Sequence, residues 1–208
     1  GDVALVPAAD VDSASVVLEI EEGPRVVIDE VRVEGNKETK TGVILRETRI
    51  GAGEVYQPER IAAIRSRLNR LSIFSRVDEP ELYMVGTRGG LLLRVEEGKT
   101  NTFDGIAGYA PGLNPGDAGY LTGMVTIGMR NLFGTGRKMN LRWQKEDRFS
   151  QDLSVGYIEP WLFGFPVNAG ADFQQRRQDS TYVRQAGTFT VELMASEELS
   201  LSLSGTTE

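Results

Sequence analysis

Residues 129–143 read MRNLFGTGRKMNLRW, and the residues at their centre, Gly134, Gly136, Arg137 and Lys138, are compatible with two folds. A glycine-rich loop that cradles phosphate aims its backbone N–H groups from a strand-to-helix turn, with G-x-x-x-x-G-K-[ST] spacing. LFGTGRK lacks both the spacing and the helix. Instead Met139, Leu141 and Trp143 alternate with Lys138, Asn140, Arg142 and Gln144, and the residues before the turn alternate in the same way. The stretch is therefore predicted to be the tip of a hairpin, its glycines supplying the positive φ of a tight turn.

The period of two extends in both directions. Leu121, Val125, Ile127 and Met129 alternate with Tyr120, Thr122, Thr126 and Arg130, with Met124 as the exception. Downstream, the apolar members are Leu153, Val155 and Tyr157, then Val167, Ala169, Ala171 and Phe173, then Phe189, Val191 and Leu193, and finally Leu199, Leu201 and Leu203. A glycine-rich segment, Thr102–Tyr109, makes seven. Alternation fits any antiparallel sheet with one wet face, and a soluble sandwich among them. The connections narrow the choice. PGLNPGDAG, KEDRFSQ and RRQDS are polar, whereas NLFGTG, EPWLFGFP and ASEE are aromatic or short. Phe133, Trp161, Phe163 and Phe165 thus gather at one end of the sheet, where a transmembrane barrel needs an interfacial girdle. The alternative is that these rings cap a soluble core.

The first 99 residues follow other periods. VALVP and SVVLEIEEGP in residues 1–24 are two short apolar runs, whose sheet partners are expected upstream. Residues 25–99 are predicted to be a compact β-α-α-β-β unit. VVIDEVRVEGN is extended and ends at a Gly35-Asn36 turn, and TKTGVILRETRI is a short helix capped by Thr39 or Thr41. In QPERIAAIRSRLNRL, the residues Ile61, Ile64, Leu68 and Leu71 form one stripe, and Pro58 suits the first turn. Arg60, Arg65, Arg67 and Arg70 are assigned to solvated faces. The strands FSRVDEPELYMV, interrupted by Pro80, and GGLLLRVEEGK complete the unit.

Composition excludes several function classes. Acidic residues number 30 against 23 basic ones with no basic domain, so no nucleic acid is expected as a partner. Cys and His are both absent, which removes thiolate nucleophiles, imidazole bases and the usual zinc ligands. No catalytic residue, metal site or cofactor is assigned, and the chain is not expected to be an enzyme. No stretch reaches the roughly 18 apolar residues of a membrane-spanning helix, a criterion that says nothing of a barrel.

Three motifs occur in an order that resembles a known family. VIDEVRVEGNK, the arginine-studded helix ending in RLNRLSIFSRV, and the closing strand ending in VEEGKTNTF are similar to a POTRA domain, a periplasmic module. GIAGYAPG, RNLFGTGR and GYIEPWLFG are similar to the opening strands of BamA/TamA-type outer-membrane assembly proteins, the surface-antigen superfamily. The resemblance implies the end of a preceding POTRA domain at 1–24, a full POTRA domain at 25–99 and the first strands, about seven, of an incomplete transmembrane β-barrel at 100–208. Since a closed barrel of this family needs more strands, the chain reads as a fragment.

The resemblance also implies a location and a mode of action. The barrel would lie in the outer membrane of a Gram-negative-type cell with the POTRA domain in the periplasm. Its partners would be the lipid bilayer, unfolded outer-membrane protein clients and accessory assembly subunits at the POTRA domain, which would either dock them through an edge such as SRVDEPELYMV or serve mainly as a spacer beneath the barrel. The first strand would open sideways, so Phe103, Asp104, Gly105, Ile106, Ala107, Gly108 and Tyr109 are the candidate gate that templates a client strand. Gly105 and Gly108 leave that strand few side chains to pack. A two-partner-secretion transporter would share fold and location, and a soluble β-rich module is the third reading. Against the last, the apolar set Leu199, Leu201 and Leu203 carries no charge.

Overall fold

The computed structural model describes residues 3–7, 14–18, 25–86, 88–112, 116, 118–178, 182–194 and 199–208. Strands β1 (Val3–Pro7) and β2 (Ala14–Leu18) pair antiparallel, with Leu5 opposite Val16. Among the described residues no helix is long and apolar enough to cross a membrane.

The α+β unit runs β3 (Val27–Glu34), α1 (Thr41–Thr48), β4 (Glu54–Val55), α2 (Pro58–Arg70), β5 (Phe74–Val77), β6 (Glu81–Val85) and β7 (Arg88–Glu97). β3 and β7 pair in parallel at the centre, an arrangement that requires the intervening chain to cross over, and the helices supply that crossover. Ile61, Ile64 and Leu68 of α2 are buried with Ile28, Ile44, Leu91, Leu93 and Val95, so the helical stripe and one sheet face form a common core. β5 and β6 both pair with β7 on the side away from β3. Together they make the outer edge of the sheet, broken at Asp78–Pro80, because proline has no N–H for the ladder.

Three expectations for this unit change. A two-residue strand, β4, pairs with β3 and was not foreseen from the sequence. Neither Thr39 nor Thr41 caps α1: Lys40 occupies the N-cap position without a side-chain bond, and the Thr39 hydroxyl is engaged elsewhere. Arg67 is not on a solvated face. It is buried and donates to the backbone oxygens of Glu47 and Thr48, satisfying carbonyls that the end of α1 leaves without helical partners.

Seven strands follow: β8 (Asn101–Ala110), β9 (Tyr120–Leu132), β10 (Arg137–Lys145), β11 (Gln151–Glu159), β12 (Val167–Gln178), β13 (Tyr182–Met194) and β14 (Ser200–Thr207). They form one antiparallel sheet in chain order, from β8 to β14. The register turns the alternation of single strands into whole faces. Phe103, Ile127, Leu141, Val155 and Phe173 stand in one row across β8 to β12, while Thr102, Gly128, Asn140, Gly156, Asp172, Thr188 and Thr206 form a row of the opposite face. The apolar face is the uncovered one: Leu203, Phe103 and Phe189 are 78%, 72% and 56% exposed, and no second sheet among the described elements lies over it. A sheet that sheds water from one face and lays no protein on it is built for hydrocarbon. β9, β12 and β13, with 13, 12 and 13 residues, exceed the 9–11 or so that a tilted strand needs to cross.

A candidate strand-accepting edge and the junction beneath it

β8 is an edge of the large sheet, with β9 its one neighbour among the described strands. Phe103, Gly105, Ala107 and Tyr109 lie on the apolar face, and Asp104, Ile106 and Gly108 on the polar one. The seam with β9 is thinly packed. Ala107 stands opposite Gly123, Gly108 opposite Thr122 and Gly105 opposite Val125. Cross-strand side-chain pairs supply much of a ladder's stability, so at these three positions β8 is held chiefly by backbone bonds. The larger pairs of the seam are Phe103 with Ile127, Tyr109 with Leu121, and Ile106 with Met124, the last placing two apolar side chains together on the polar face.

The four aromatics of the expected girdle part company. Phe133, Phe163 and Phe165 are 77%, 90% and 65% exposed at the turns, whereas Trp161 is half-buried against the α+β unit. Its indole N–H donates to Glu47 Oε1 at 2.7 Å, and its ring lies 5.9 Å from the guanidinium carbons of both Arg46 and Arg49. The polar end of Trp161 is therefore occupied by protein. Phe133, Trp161 and Phe163 all adopt left-handed backbone, with φ of 55°, 55° and 54°. That conformation costs a bulky residue about 1–3 kcal/mol, and it persists because the turns are pinned by bonds such as Gly134 N–H to the Asn131 carbonyl at 3.0 Å.

The β9–β10 turn is the second contact with the α+β unit. Lys40 N–H donates to the Gly134 carbonyl at 2.8 Å, Asn131 Nδ2 donates to Thr39 Oγ1 at 2.9 Å, and Arg46 Nη2 donates to the Thr135 carbonyl at 3.1 Å. Gly134, with φ of 69°, does more than turn the chain, because a Cβ there would lie 2.1 Å from the Glu38 carbonyl oxygen. The loop that meets it is held from behind by Glu97 at the end of β7. Its carboxylate accepts from the backbone N–H groups of Glu38, at 3.0 and 3.1 Å, and Thr39, at 2.6 Å. Burial alone would raise the Glu97 pKa, but these bonds outweigh it and hold the group below the usual glutamate range.

Glu47 carries the electrostatics of the junction. It is 5% exposed, and burial pushes its pKa up against the pull of the Trp161 N–H and of Arg46, Arg49 and Arg67. Arg46 is shifted the other way, its pKa lowered by its own burial. The Nε atoms of Arg46 and Arg49 are buried without hydrogen-bond partners, that of Arg46 lying 3.9 Å from Glu47 Oε1, and both guanidiniums also make ring contacts with the indole. Sequence reasoning missed this cluster. Glu47 and Trp161 are 114 residues apart, and the one local signal was a lone tryptophan in a turn.

The comparisons with known proteins agree with this geometry. Residues 26–98 match the POTRA family, described as a surface antigen variable number repeat, and residues 131–208 match the Omp85 superfamily domain. The chain is 26% identical over 191 residues to the outer membrane protein assembly factor BamA of Neisseria meningitidis serogroup B, covering 89% of this chain and 23% of that protein. It is 35% identical over 122 residues to the BamA of Nitratidesulfovibrio vulgaris, covering 57% of this chain and 14% of that protein. The chain thus spans less than a quarter of these relatives' length. In fold it resembles the crystal structure of Haemophilus ducreyi BamA lacking POTRA domains 1–3, with a TM-score of 0.67 at 19% identity, covering 99% of this chain and 40% of that one. The chain thus joins a POTRA match over residues 26–98 to an Omp85 superfamily match over residues 131–208, and shares the fold of a POTRA domain that leads directly into antiparallel strands of an outer-membrane-type β-barrel.

Proposed function

We propose that this chain is part of an outer-membrane assembly factor, and that Phe103–Tyr109 of β8 receives the edge of an incoming client strand. The observation that carries the reading is the make-up of β8, which has Gly105, Ala107 and Gly108 facing Val125, Gly123 and Thr122 of β9, its one neighbour among the described strands. Unpaired N–H and C=O groups facing hydrocarbon cost several kcal/mol each, so a strand that satisfies them is strongly drawn in. A thin seam with β9 keeps β8 free to tilt toward that strand. No bond is made or broken: the protein lowers the barrier to insertion by templating the ladder and disturbing the bilayer beside it. The barrel lies in the outer membrane and the POTRA domain in the periplasm. There the β5–β6 edge, with Met84 and Val85 52% and 63% exposed, is the surface offered to clients or accessory subunits. Phe133, Phe163 and Phe165 rest at headgroup level on the POTRA side.

The test is disulfide crosslinking in the full-length parent protein. Single cysteines are placed along Phe103–Tyr109, a segment of a chain that has none of its own, and paired with cysteines in the terminal strand of a stalled barrel client. Crosslinks that recur in antiparallel or parallel register support templating. Crosslinks confined to a soluble passenger inside the lumen replace it with a secretion pore.

A further inference from the structure

The POTRA domain is joined to the barrel wall in two unequal ways. One is covalent: β7 ends at Glu97 and β8 begins at Asn101, leaving Gly98, Lys99 and Thr100 as the whole linker. That linker is tied at both ends, Gly98 N–H to the Ile73 carbonyl at 2.8 Å and the Thr100 carbonyl to Arg130 N–H at 3.0 Å. It spans about 10 Å at most and has little slack. The other is the non-covalent junction, in which α1 and the loop before it grip the β9–β10 turn through Gly134 and Thr135 and the β11–β12 turn through Trp161.

We propose that this junction is a clamp that shields the β8–β9 seam from motion of the POTRA domain, with Trp161 as its anchor and Glu47 and Arg46 as positioning residues. The inference concerns the joint itself and holds whatever strand the β8 edge receives. Any displacement of the POTRA domain reaches the barrel through the linker, the clamp or both. With the clamp engaged, the load is shared by the turns that join β9 to β10 and β11 to β12, and so is spread over four strands. With the clamp open, the domain pivots on the short linker. The whole load then falls on β8, whose seam holds the pairs Ala107–Gly123 and Gly108–Thr122. Of the strands of the large sheet, β8 is thus the one attached to the lever. A tryptophan whose ring lies 5.9 Å from two guanidiniums, with its N–H on a buried carboxylate, is the kind of anchor that dominates an interface.

The experiment compares the full-length protein in nanodiscs with its Trp161→Ala variant by two measurements. The first is the distribution of spin-label distances between the POTRA domain and the far ends of β10 and β11. The second is amide hydrogen exchange along the sheet. Trp161→Ala should broaden the distances and speed exchange in β8 about tenfold while β12 and β13 stay unchanged. Phe163→Ala, which removes a neighbouring ring that is 90% exposed, should change neither. If Trp161→Ala does not assemble, the near-isosteric pair Glu47→Gln with Trp161→Phe carries the same test at about threefold. Distances that stay narrow, or a loosened POTRA domain with β8 exchange unaltered, would overturn the proposal.

Discussion

Glu47 is a carboxylate that the fold removes from water and sets among Arg46, Arg49 and Arg67, with Trp161 donating to it. Burial is the largest influence on it, and its pKa stands above the ordinary glutamate value of 4.5. The sign of the consequence follows. A carboxyl group whose folded pKa is raised contributes stability that is fully present below the unfolded pKa and is lost as pH rises through the folded one. The stability of the parent protein relative to its Glu47→Gln variant should therefore fall as pH rises from about 4 and then level off, as denaturant unfolding at a series of pH values would reveal. At neutral pH the glutamine should be tolerated, because it still accepts from the Trp161 N–H and no longer buries a charge. An advantage of Glu47 that grew with pH would refute this account. Gly134 was legible as a turn residue and also has no room for a Cβ at the junction, whereas Trp161, expected in the girdle, sets its ring 5.9 Å from two guanidiniums of the α+β unit.

Among the elements, β8 is set apart by what its neighbour finds on it. A Cβ at Gly105 would meet the Phe103 ring at 3.6 Å, an ordinary contact, so a larger residue fits there. Gly105→Val would stand opposite Val125 and exchange a glycine for a β-branched pair, strengthening the seam by about 0.5–1 kcal/mol. Exchange of β8 amides should slow accordingly, and client crosslinking at β8 should drop. A variant that slowed exchange while leaving crosslinking intact would separate seam strength from strand acceptance. The apolar stripe of α2 and the seven alternating strands were readable in the sequence, since each repeats within one element. The burial of Arg67 was not readable, because its partners are the terminal carbonyls of α1, 19 and 20 residues away.

At the scale of the whole molecule, the register makes the large sheet two-faced, and substitutions should obey the faces rather than the strands. Leu141, mid-strand in β10 between Ile127 and Val155, belongs to the lipid face. Leu141→Arg should cost about 2–4 kcal/mol in folding from lipid vesicles if it lies near the bilayer midplane. Thr190→Lys, on the polar face between Gly170 and Ser204, should stay within about 0.5 kcal/mol. Urea titrations of the parent barrel in vesicles measure both. Equal penalties on the two faces would mean that the apolar face is covered by protein, as in a sandwich.

The sequence by itself determined what depends on local period: strands wherever apolar and polar residues alternate, a helix where Ile61, Ile64 and Leu68 recur, and a hairpin where Gly134 and Gly136 interrupt the alternation. Those patterns follow from backbone geometry, which repeats every two or 3.6 residues and needs no distant partner. Only the tertiary structure decided which apolar face stays bare, where the β8 seam is thin and how the POTRA domain grips the barrel wall. Each of these is a meeting of residues brought together by folding, and the hydrogen bonds of the junction, such as those from Asn131 to Thr39 and from Trp161 to Glu47, close loops of 92 and 114 residues. A contact at that separation depends on the shapes of two finished units, and no local pattern in either segment encodes it.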